Sequence, residues 1–169
     1  MPSFAESKIT LNFPDNNFFR FADCSGYRQF SGHYFKEMDA CWYDETANVY
    51  WLFELKDYSL LNLSTPETID KKSWDMTKKA YDSLVMMLSS KHAYTSDISA
   101  CLPAIPNNTT EIKFITIVHC DLAQKPDIQL LNEKFRHKFK PYAAFFGVKH
   151  YGVIEHSKAI TNIPHNIVT

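Results

Sequence analysis

Residues 35–56 read FKEMDACWYDETANVYWLFELK and decide the fold. Two runs rich in aromatic and aliphatic residues, 35–43 and 49–56, flank a polar segment in which Asp44 and Asn48 occupy positions typical of turns. This pattern predicts a β-hairpin whose strands cover the two runs. Because the polar segment contains no glycine, we expect a loop of a few residues rather than a two-residue turn.

The register of this hairpin determines which side chains meet. If the hairpin is symmetric about its polar loop, Asp39 lies opposite Glu54, and Glu37 lies opposite Lys56. Side chains alternate between the two faces of a sheet, so these four charged residues share one face with Cys41. The other face is predicted to be core and carries Met38, Ala40, Trp42, Trp51, Phe53 and Leu55.

Two opposed carboxylates on an otherwise apolar hairpin need a compensating charge. Directly opposed Cβ atoms lie about 5 Å apart, and like charges at that separation destabilise a sheet. A divalent cation between Asp39 and Glu54 would relieve the repulsion, because Mg²⁺ takes oxygen ligands from one or two carboxylates and from substrate phosphate. Lys56, on the same face, would then contact a phosphate or help to deprotonate a water molecule.

A second interpretation of the same residues involves no chemistry. Lys56 would form an ordinary cross-strand ion pair with Glu37, or would contact one of the two opposed carboxylates on a solvated sheet face. A slip of one residue in the register would also separate Asp39 from Glu54. The sequence leaves both interpretations open.

Asp39 on one strand and Glu54-Leu55-Lys56 on the next resemble the signature of the PD-(D/E)xK, or restriction-endonuclease-like, nuclease superfamily. The resemblance covers the hairpin closely and the order of the downstream elements more loosely. Met38 stands where the signature has proline. Many members carry an acidic residue on a helix before the first strand, and Glu6 is the only acidic residue in that position here.

The resemblance implies metal-dependent hydrolysis of phosphodiester bonds in nucleic acid, in DNA more readily than in RNA. Asp39, Glu54 and the Leu55 carbonyl would hold Mg²⁺ or Mn²⁺, and Lys56 would position or activate the attacking water. Glu37 is a further candidate ligand. The alternative is a catalytically inactive protein of the same fold that acts as a binding or assembly subunit, either as a homodimer or with a protein partner.

Two further groups of residues are candidates for a functional role. In the resembled family the helix after the second hairpin strand often directs a polar side chain back to the metal site, and Lys72, Asp75 and Lys79 are the candidates here. A solvated helix face is the simpler expectation for each of them. His119 and Cys120 are adjacent on a predicted strand and point to opposite faces, so they do not form a catalytic dyad.

The rest of the chain predicts an α/β fold. Apolar positions at helical spacing indicate helices over residues 66–90 and 126–140. The near-continuous apolar run 113–121 indicates a strand buried on both faces, hence a central parallel strand. Short strands are also expected at 18–22 and 149–156, a helical turn near residues 3–8, a loop over 91–111 and an irregular tail. We therefore expect a mixed β-sheet with an antiparallel N-terminal hairpin and flanking helices. This order of elements is similar to the restriction-endonuclease-like core, which the resemblance implies for this chain.

The composition is that of a globular protein with a sizeable core. The 169 residues, 45% of them apolar and 15% aromatic, fit a single domain covering 1–169. The sequence shows no signal peptide and no apolar run of membrane-spanning length, so we expect a cytoplasmic protein without membrane contact. In that compartment four reduced cysteines are expected, namely Cys24, Cys41, Cys101 and Cys120. The net charge of −1 does not by itself indicate a nucleic-acid partner.

Overall fold

The predicted hairpin forms part of a five-stranded mixed sheet. The fold is that of a computed structural model, which describes residues 1–32, 34–61, 63, 65–89 and 96–169. A separate two-stranded antiparallel hairpin lies at the N-terminus, and helices flank the larger sheet. The prediction of a mixed α/β fold with flanking helices is therefore confirmed.

Most strands lie in the early part of the chain, and long helices separate the later ones. The strands are β1 (Ser3–Glu6), β2 (Ile9–Asn12), β3 (Phe18–Phe19), β4 (Ala40–Asp44), β5 (Val49–Asp57), β6 (Glu111–His119) and β7 (His150–Glu155). The helices are α1 (Ser25–Ser31), α2 (Pro66–Ser89), α3 (Ser96–Ser99), α4 (Lys125–Phe146) and α5 (His156–Asn162), and short 3₁₀ turns occupy residues 21–23, 122–124 and 164–166.

The larger sheet changes from antiparallel to parallel in its middle. Strands β3, β4 and β5 pair antiparallel, whereas β5, β6 and β7 pair parallel, in the spatial order β3-β4-β5-β6-β7. Helix α2 connects β5 to β6, and α4 connects β6 to β7. Both crossovers run in the same direction across the sheet, and such crossovers have the same handedness, so their helices are expected on the same face. Helices α2 and α4 do pack against each other.

Each face of the sheet is covered by a different apolar layer. Between the sheet and the two long helices lies one core that includes Leu52 and Phe114. The second core lies on the opposite face, where Trp42 and Phe53 pack against the β1–β2 hairpin, α5 and the last residues of the chain. The mainly apolar strands β5 and β6 are therefore buried on both sides, as expected for the centre of a mixed sheet.

The outer edge of β7 is covered by side chains of α4. The Asn132 Oδ1 atom accepts a hydrogen bond from the Val153 backbone N–H at 2.8 Å. The Arg136 guanidinium donates to the Tyr151 carbonyl at 2.8 Å and lies over the ring of the same tyrosine. Backbone groups that an edge strand would otherwise present to another chain are thus paired within the molecule.

The long central elements agree with the sequence prediction. Helix α2 covers Pro66–Ser89 of the predicted range 66–90, and residue 90 lies outside the described residues. Strand β6 is the central parallel strand predicted from its apolar run. The predicted strand at 149–156 corresponds to β7 at the edge of the sheet. Helix α4 was predicted to end at residue 140 but continues through Pro141 to Phe146.

The first hairpin strand is shorter than predicted. The expected strand 35–43 begins only at Ala40, because side chains of α2 bind the segment before it. Asp82 accepts the Lys36 amide N–H, and the Ser83 hydroxyl accepts the Met38 amide N–H, each at 2.9 Å. Met38 consequently packs in the core under α2 and not on the opposite face, where strict alternation had placed it.

The predictions for both ends of the chain were wrong. The N-terminal segment forms β1 and β2 instead of a helical turn, and the strand predicted at 18–22 contains only Phe18 and Phe19. The tail contains α5 and ends beside β2, where Thr10 and Thr169 exchange two backbone hydrogen bonds of 3.0–3.1 Å. These pairings join residues that are far apart in sequence, which local patterns do not reveal. The predicted loop 91–111 lies partly outside the described residues.

Two of the four cysteines are bonded to each other. Cys24 and Cys101 form a disulfide, so the expectation of four reduced thiols is wrong for this pair. Cys41 and Cys120 are free. Among the helices that the structure describes, none combines the length and the apolar character needed to cross a bilayer.

We expect the Gly147→Ala variant to lose about 1 kcal/mol of unfolding free energy. Gly147 ends α4 with a φ of 73°, a conformation that residues with a Cβ atom adopt at a cost. An added Cβ would meet nothing within 4 Å, so the loss would come from the backbone alone. Urea denaturation measures it. Gly32→Ala is the control, because that site is equally open without a positive φ. Equal losses in the two variants would contradict the explanation.

Candidate functional site

The candidate site lies where β4 begins and β5 approaches its end. Ala40 lies opposite Phe53, which is the register that the sequence predicted, and Asp39 therefore stands beside Glu54 at the end of the ladder. Glu54 is only 1% exposed, and the Asp39 side chain is 12% exposed. Both carboxylates face α2. The predicted meeting of the two acids is confirmed, although no finding tests their predicted roles.

A lysine from α2 lies between the two carboxylates. The Lys79 Nζ atom is 3.1 Å from Asp39 Oδ1 and 2.7 and 2.8 Å from the two Glu54 oxygens. Burial alone would lower the pKa of Lys79, but the charges of Glu54 and Asp39 outweigh it and raise that pKa. The expectation that Lys79 belongs to a solvated helix face is therefore wrong.

Lys56 supplies a second positive charge to the same pair. Its Nζ atom lies 2.5 Å from Glu54 Oε1 and 3.7 Å from Asp39 Oδ2. Glu54 Oε1 is thus in contact with two ammonium groups, and a hydrogen bond from Lys56 is among the influences that lower the pKa of Glu54.

The environment of Glu54 disfavours its ionised form. Burial, followed by the nearby charge of Asp39, raises the pKa of Glu54 from its ordinary value of 4.5 to about 7, although Lys56 and Lys79 act in the opposite direction. Near neutral pH the Glu54 carboxyl of the folded protein is therefore partly protonated. Such a shift at a cluster of opposed charges is typical of functional sites.

The backbone of Leu55 is part of the site. Its N–H group donates to Asp39 Oδ2 at 2.8 Å, which replaces the strand hydrogen bond that β4 would provide if it began earlier. Its carbonyl oxygen accepts a 3.2 Å hydrogen bond from the hydroxyl of Ser7, which lies in the turn between β1 and β2. A carbonyl oxygen has two lone pairs, so the predicted metal contact of Leu55 remains sterically and chemically compatible with this bond.

The turn between β1 and β2 also contacts the end of β5 through a second residue. Lys8 Nζ lies 2.9 Å from Asp57 Oδ2 and 3.1 Å from the Ser59 hydroxyl. Hydrogen bonds from Ser59, together with Lys8, hold the pKa of Asp57 well below its ordinary value. Glu6, the acid at the end of β1, is exposed. This contact of the N-terminal hairpin carries no local signal in the sequence.

Glu37 does not join the carboxylate pair. It was predicted to lie opposite Lys56 and to be a further candidate ligand, but its carboxylate accepts a hydrogen bond from the Tyr27 hydroxyl. The reason is that the strand begins after residue 37, so strand alternation does not apply there. Burial and Glu37 together raise the pKa of Tyr27 well above its ordinary value.

Two further lysines, Lys36 and Lys72, lie on the α2 side of the sheet. Lys36 and Asp75 form a long ion pair of 3.9 Å between half-exposed side chains. The Lys72 Nζ atom lies 6.0 Å from the centre of the Tyr58 ring, beyond the end of β5. Lys56 and Lys79 lie on the same side, so four lysines and Asp75 share this side of the sheet.

The side chains present fit a divalent cation only if Lys79 moves. Two carboxylates and one carbonyl, completed by water and phosphate, form an ordinary ligand set for Mg²⁺ or Mn²⁺. The donor set is small: among the described residues, no three His, Cys, Asp or Glu side chains converge to hold a metal ion. The Lys79 ammonium group opposes the fit until it withdraws, because it lies between the two carboxylates.

Another group of polar side chains lies where β6 and β7 end. His119 and His156 have ring centroids 6.1 Å apart, and burial, followed by the charge of Glu155, raises the pKa of Cys120. Glu155 is held by Lys125 at 2.8 Å and by Lys158 at 3.1 Å. A thiol whose pKa is raised is a poor nucleophile, in agreement with the conclusion that no Cys–His dyad operates here.

The comparisons with known proteins identify no family for this chain. No protein-family model matches the sequence, and no curated protein and no solved structure is significantly similar to the chain. The functional conclusion must therefore rest on the geometry and chemistry of the residues themselves.

We expect the stability difference between the wild type and Glu54→Gln to depend on pH. Below pH 4.5 the Glu54 carboxyl is protonated in both states. Between pH 4.5 and about 7 the unfolded chain loses this proton before the folded protein does, so folding stability falls as the pH rises. Above pH 7 ionisation of Glu54 lowers the free energy of unfolding of the wild type by about 3 kcal/mol. Glu54→Gln has no carboxyl group to ionise and would not show this loss.

Urea denaturation in metal-free buffer at pH 5, 6, 7 and 8 measures this difference. Asp57→Asn is the matched control, since the pKa of Asp57 is held well below the tested range and its carboxylate stays ionised. A stability difference for Glu54→Gln that is as flat with pH as that of the control would contradict the raised pKa of Glu54.

Proposed function

We propose that this protein is a metal-dependent phosphodiesterase of the PD-(D/E)xK type that acts on nucleic acid, on DNA more readily than on RNA. The observation that carries the proposal is the convergence of Asp39, Glu54 and Lys56 at one end of the central hairpin. If Lys79 withdraws, the two acids can share a divalent cation, and Lys56 beside them can contact an anion. A phosphodiester bound through a divalent cation supplies both.

The order of elements supports the same proposal. Three antiparallel strands, β3 to β5, lead through the crossover helix α2 to the parallel strand β6. This succession is similar to the order of elements in the restriction-endonuclease-like core. Asp39 lies just before β4, and Glu54 and Lys56 lie near the end of β5.

Each residue has a chemical task in the proposed reaction. Asp39, Glu54 and the Leu55 carbonyl would hold Mg²⁺ or Mn²⁺, which when bound stabilises charge on phosphate and lowers the pKa of a coordinated water. Lys56 is 29% exposed at the mouth of the site, so its ammonium group can reach a phosphate oxygen or orient the attacking water. Burial of Glu54 keeps bulk water from the inner side of the pair.

The charge around the opening favours nucleic acid as the substrate class. Lys36 and Lys72 lie on the same side of the sheet as the acids. Lysines act as point charges for phosphate and carry no base preference, so this arrangement suits backbone contact without sequence recognition.

A second candidate function is favoured by one specific contact. The Lys79 ammonium group already neutralises the acid pair, so the fold is complete without a metal. A catalytically inactive protein of the same fold, acting as a binding or assembly subunit, would keep this ion pair for stability alone. Such a protein would bind no Mn²⁺ and would form a stable complex with a second copy or with another protein.

We expect the purified protein to cleave single-stranded or plasmid DNA in the presence of Mg²⁺ or Mn²⁺ and not in EDTA. Asp39→Asn and Lys56→Met should each lower the cleavage rate by roughly a hundredfold or more, because one removes a ligand and the other a charge beside the reacting phosphate. Lys71→Met, at an exposed position of α2, is the matched control and should retain activity within about twofold. Cleavage that persists in Asp39→Asn would contradict the assignment.

A further inference from the structure

The contacts of Lys79 have a consequence for the metal site proposed above, and this inference rests on that function. The ammonium group contacts oxygens of both carboxylates, between 2.7 and 3.1 Å away. A cation shared by Asp39 and Glu54 would occupy the same place. We propose that Lys79 is an internal counter-ion that holds the metal-free site closed and must leave before a divalent cation can bind.

Charge balance requires this exchange. The two carboxylates and the two lysines Lys56 and Lys79 sum to zero net charge when all are ionised. A divalent ion placed among them without any movement would create a buried excess of two positive charges, at a large cost in solvation energy. Oxygen ligands also lie only about 2.0–2.1 Å from Mg²⁺, so an ammonium group on the same oxygens would touch the ion.

The helix provides a place for the displaced ammonium group. Asp75 lies four residues before Lys79 on α2, a spacing and orientation in which an acid and a lysine attract each other. The Asp75 side chain is 46% exposed, and its long contact with Lys36 leaves it available for a closer partner. The Lys79 side chain is itself 22% exposed, so it can rotate towards solvent without rearranging the core.

The exchange gives Lys79 two positions with different functions. In the closed position it prevents repulsion between two buried acids. In the open position its charge lies at the mouth of the site, beside Lys56 and on the side from which a phosphate would approach. Lys79 is thus a positioning residue. Its ammonium group moves away from the acids and towards the ligand when the metal binds.

The test compares Mn²⁺ binding to metal-free wild type, Lys79→Met and Lys71→Met by titration calorimetry. Without a competing cation, Lys79→Met should bind Mn²⁺ at least tenfold more tightly than the wild type, while Lys71→Met should equal the wild type. The metal-free Lys79→Met protein should melt at a lower temperature than the wild type, and saturating Mn²⁺ should remove most of that difference.

The possible results separate this inference from the proposed function. Tighter binding in Lys79→Met supports the inference, even if the wild type binds too weakly to measure. Equal or weaker binding in Lys79→Met, with a measurable wild-type affinity, overturns the role of Lys79 and leaves the metal site intact. Failure of both proteins to bind Mn²⁺ overturns the inference and the metal-dependent function together.

A measurement on the wild type keeps the inference testable if Lys79→Met does not fold. Lysine side-chain amine signals can be followed by NMR during a Mg²⁺ titration, with the Lys79 signal assigned from its absence in Lys79→Arg. We expect the Lys79 signal to shift and to exchange faster with water at saturation, while the Lys71 signal stays in place. A Lys79 signal that does not move while Mg²⁺ binds would overturn the exchange.

Discussion

Mutual repulsion between two buried carboxylates is the constraint on which this structure depends. The hairpin register brings Asp39 to Glu54, and their surroundings remove most of the water that would screen them. Removing one partner from such a buried charge cluster commonly costs about 3–5 kcal/mol, a large part of the stability of a domain this size. The position of α2 over the sheet, which brings Lys79 to the pair, is therefore coupled to the register of the hairpin.

Helix α2 binds the segment before β4 through residues spaced three and four apart. Lys79 contacts Asp39, Asp82 accepts the Lys36 amide, and Ser83 accepts the Met38 amide. These polar side chains stop the strand from extending further and turn the Asp39 carboxylate towards the backbone of β5. Helix α2, which is distant from β4 in the sequence, thus determines both where β4 begins and the geometry of the candidate site.

The sequence could predict those parts of the fold that follow from local periodicity. Alternation and a nearly symmetric loop fixed the pairing of Asp39 with Glu54, and helical spacing located α2. The role of Lys79 was missed because a lysine beside an apolar stripe looks like a solvated residue, although polar Asp82 and Ser83 on the inner side of the same helix were a usable signal. Glu37 was misplaced because strand alternation was extended beyond the true start of β4. The β1–β2 hairpin and the tail depend on contacts across the whole chain, such as Thr10 with Thr169, which no local pattern contains.

Asn132 and Arg136 cover the outer edge of β7, the last strand at the parallel end of the sheet. Growth of the sheet by another strand would first have to break their hydrogen bonds to Val153 and Tyr151, and at the other end β3 offers only two residues as a template. Addition of a strand at either end of the five-stranded sheet is therefore disfavoured.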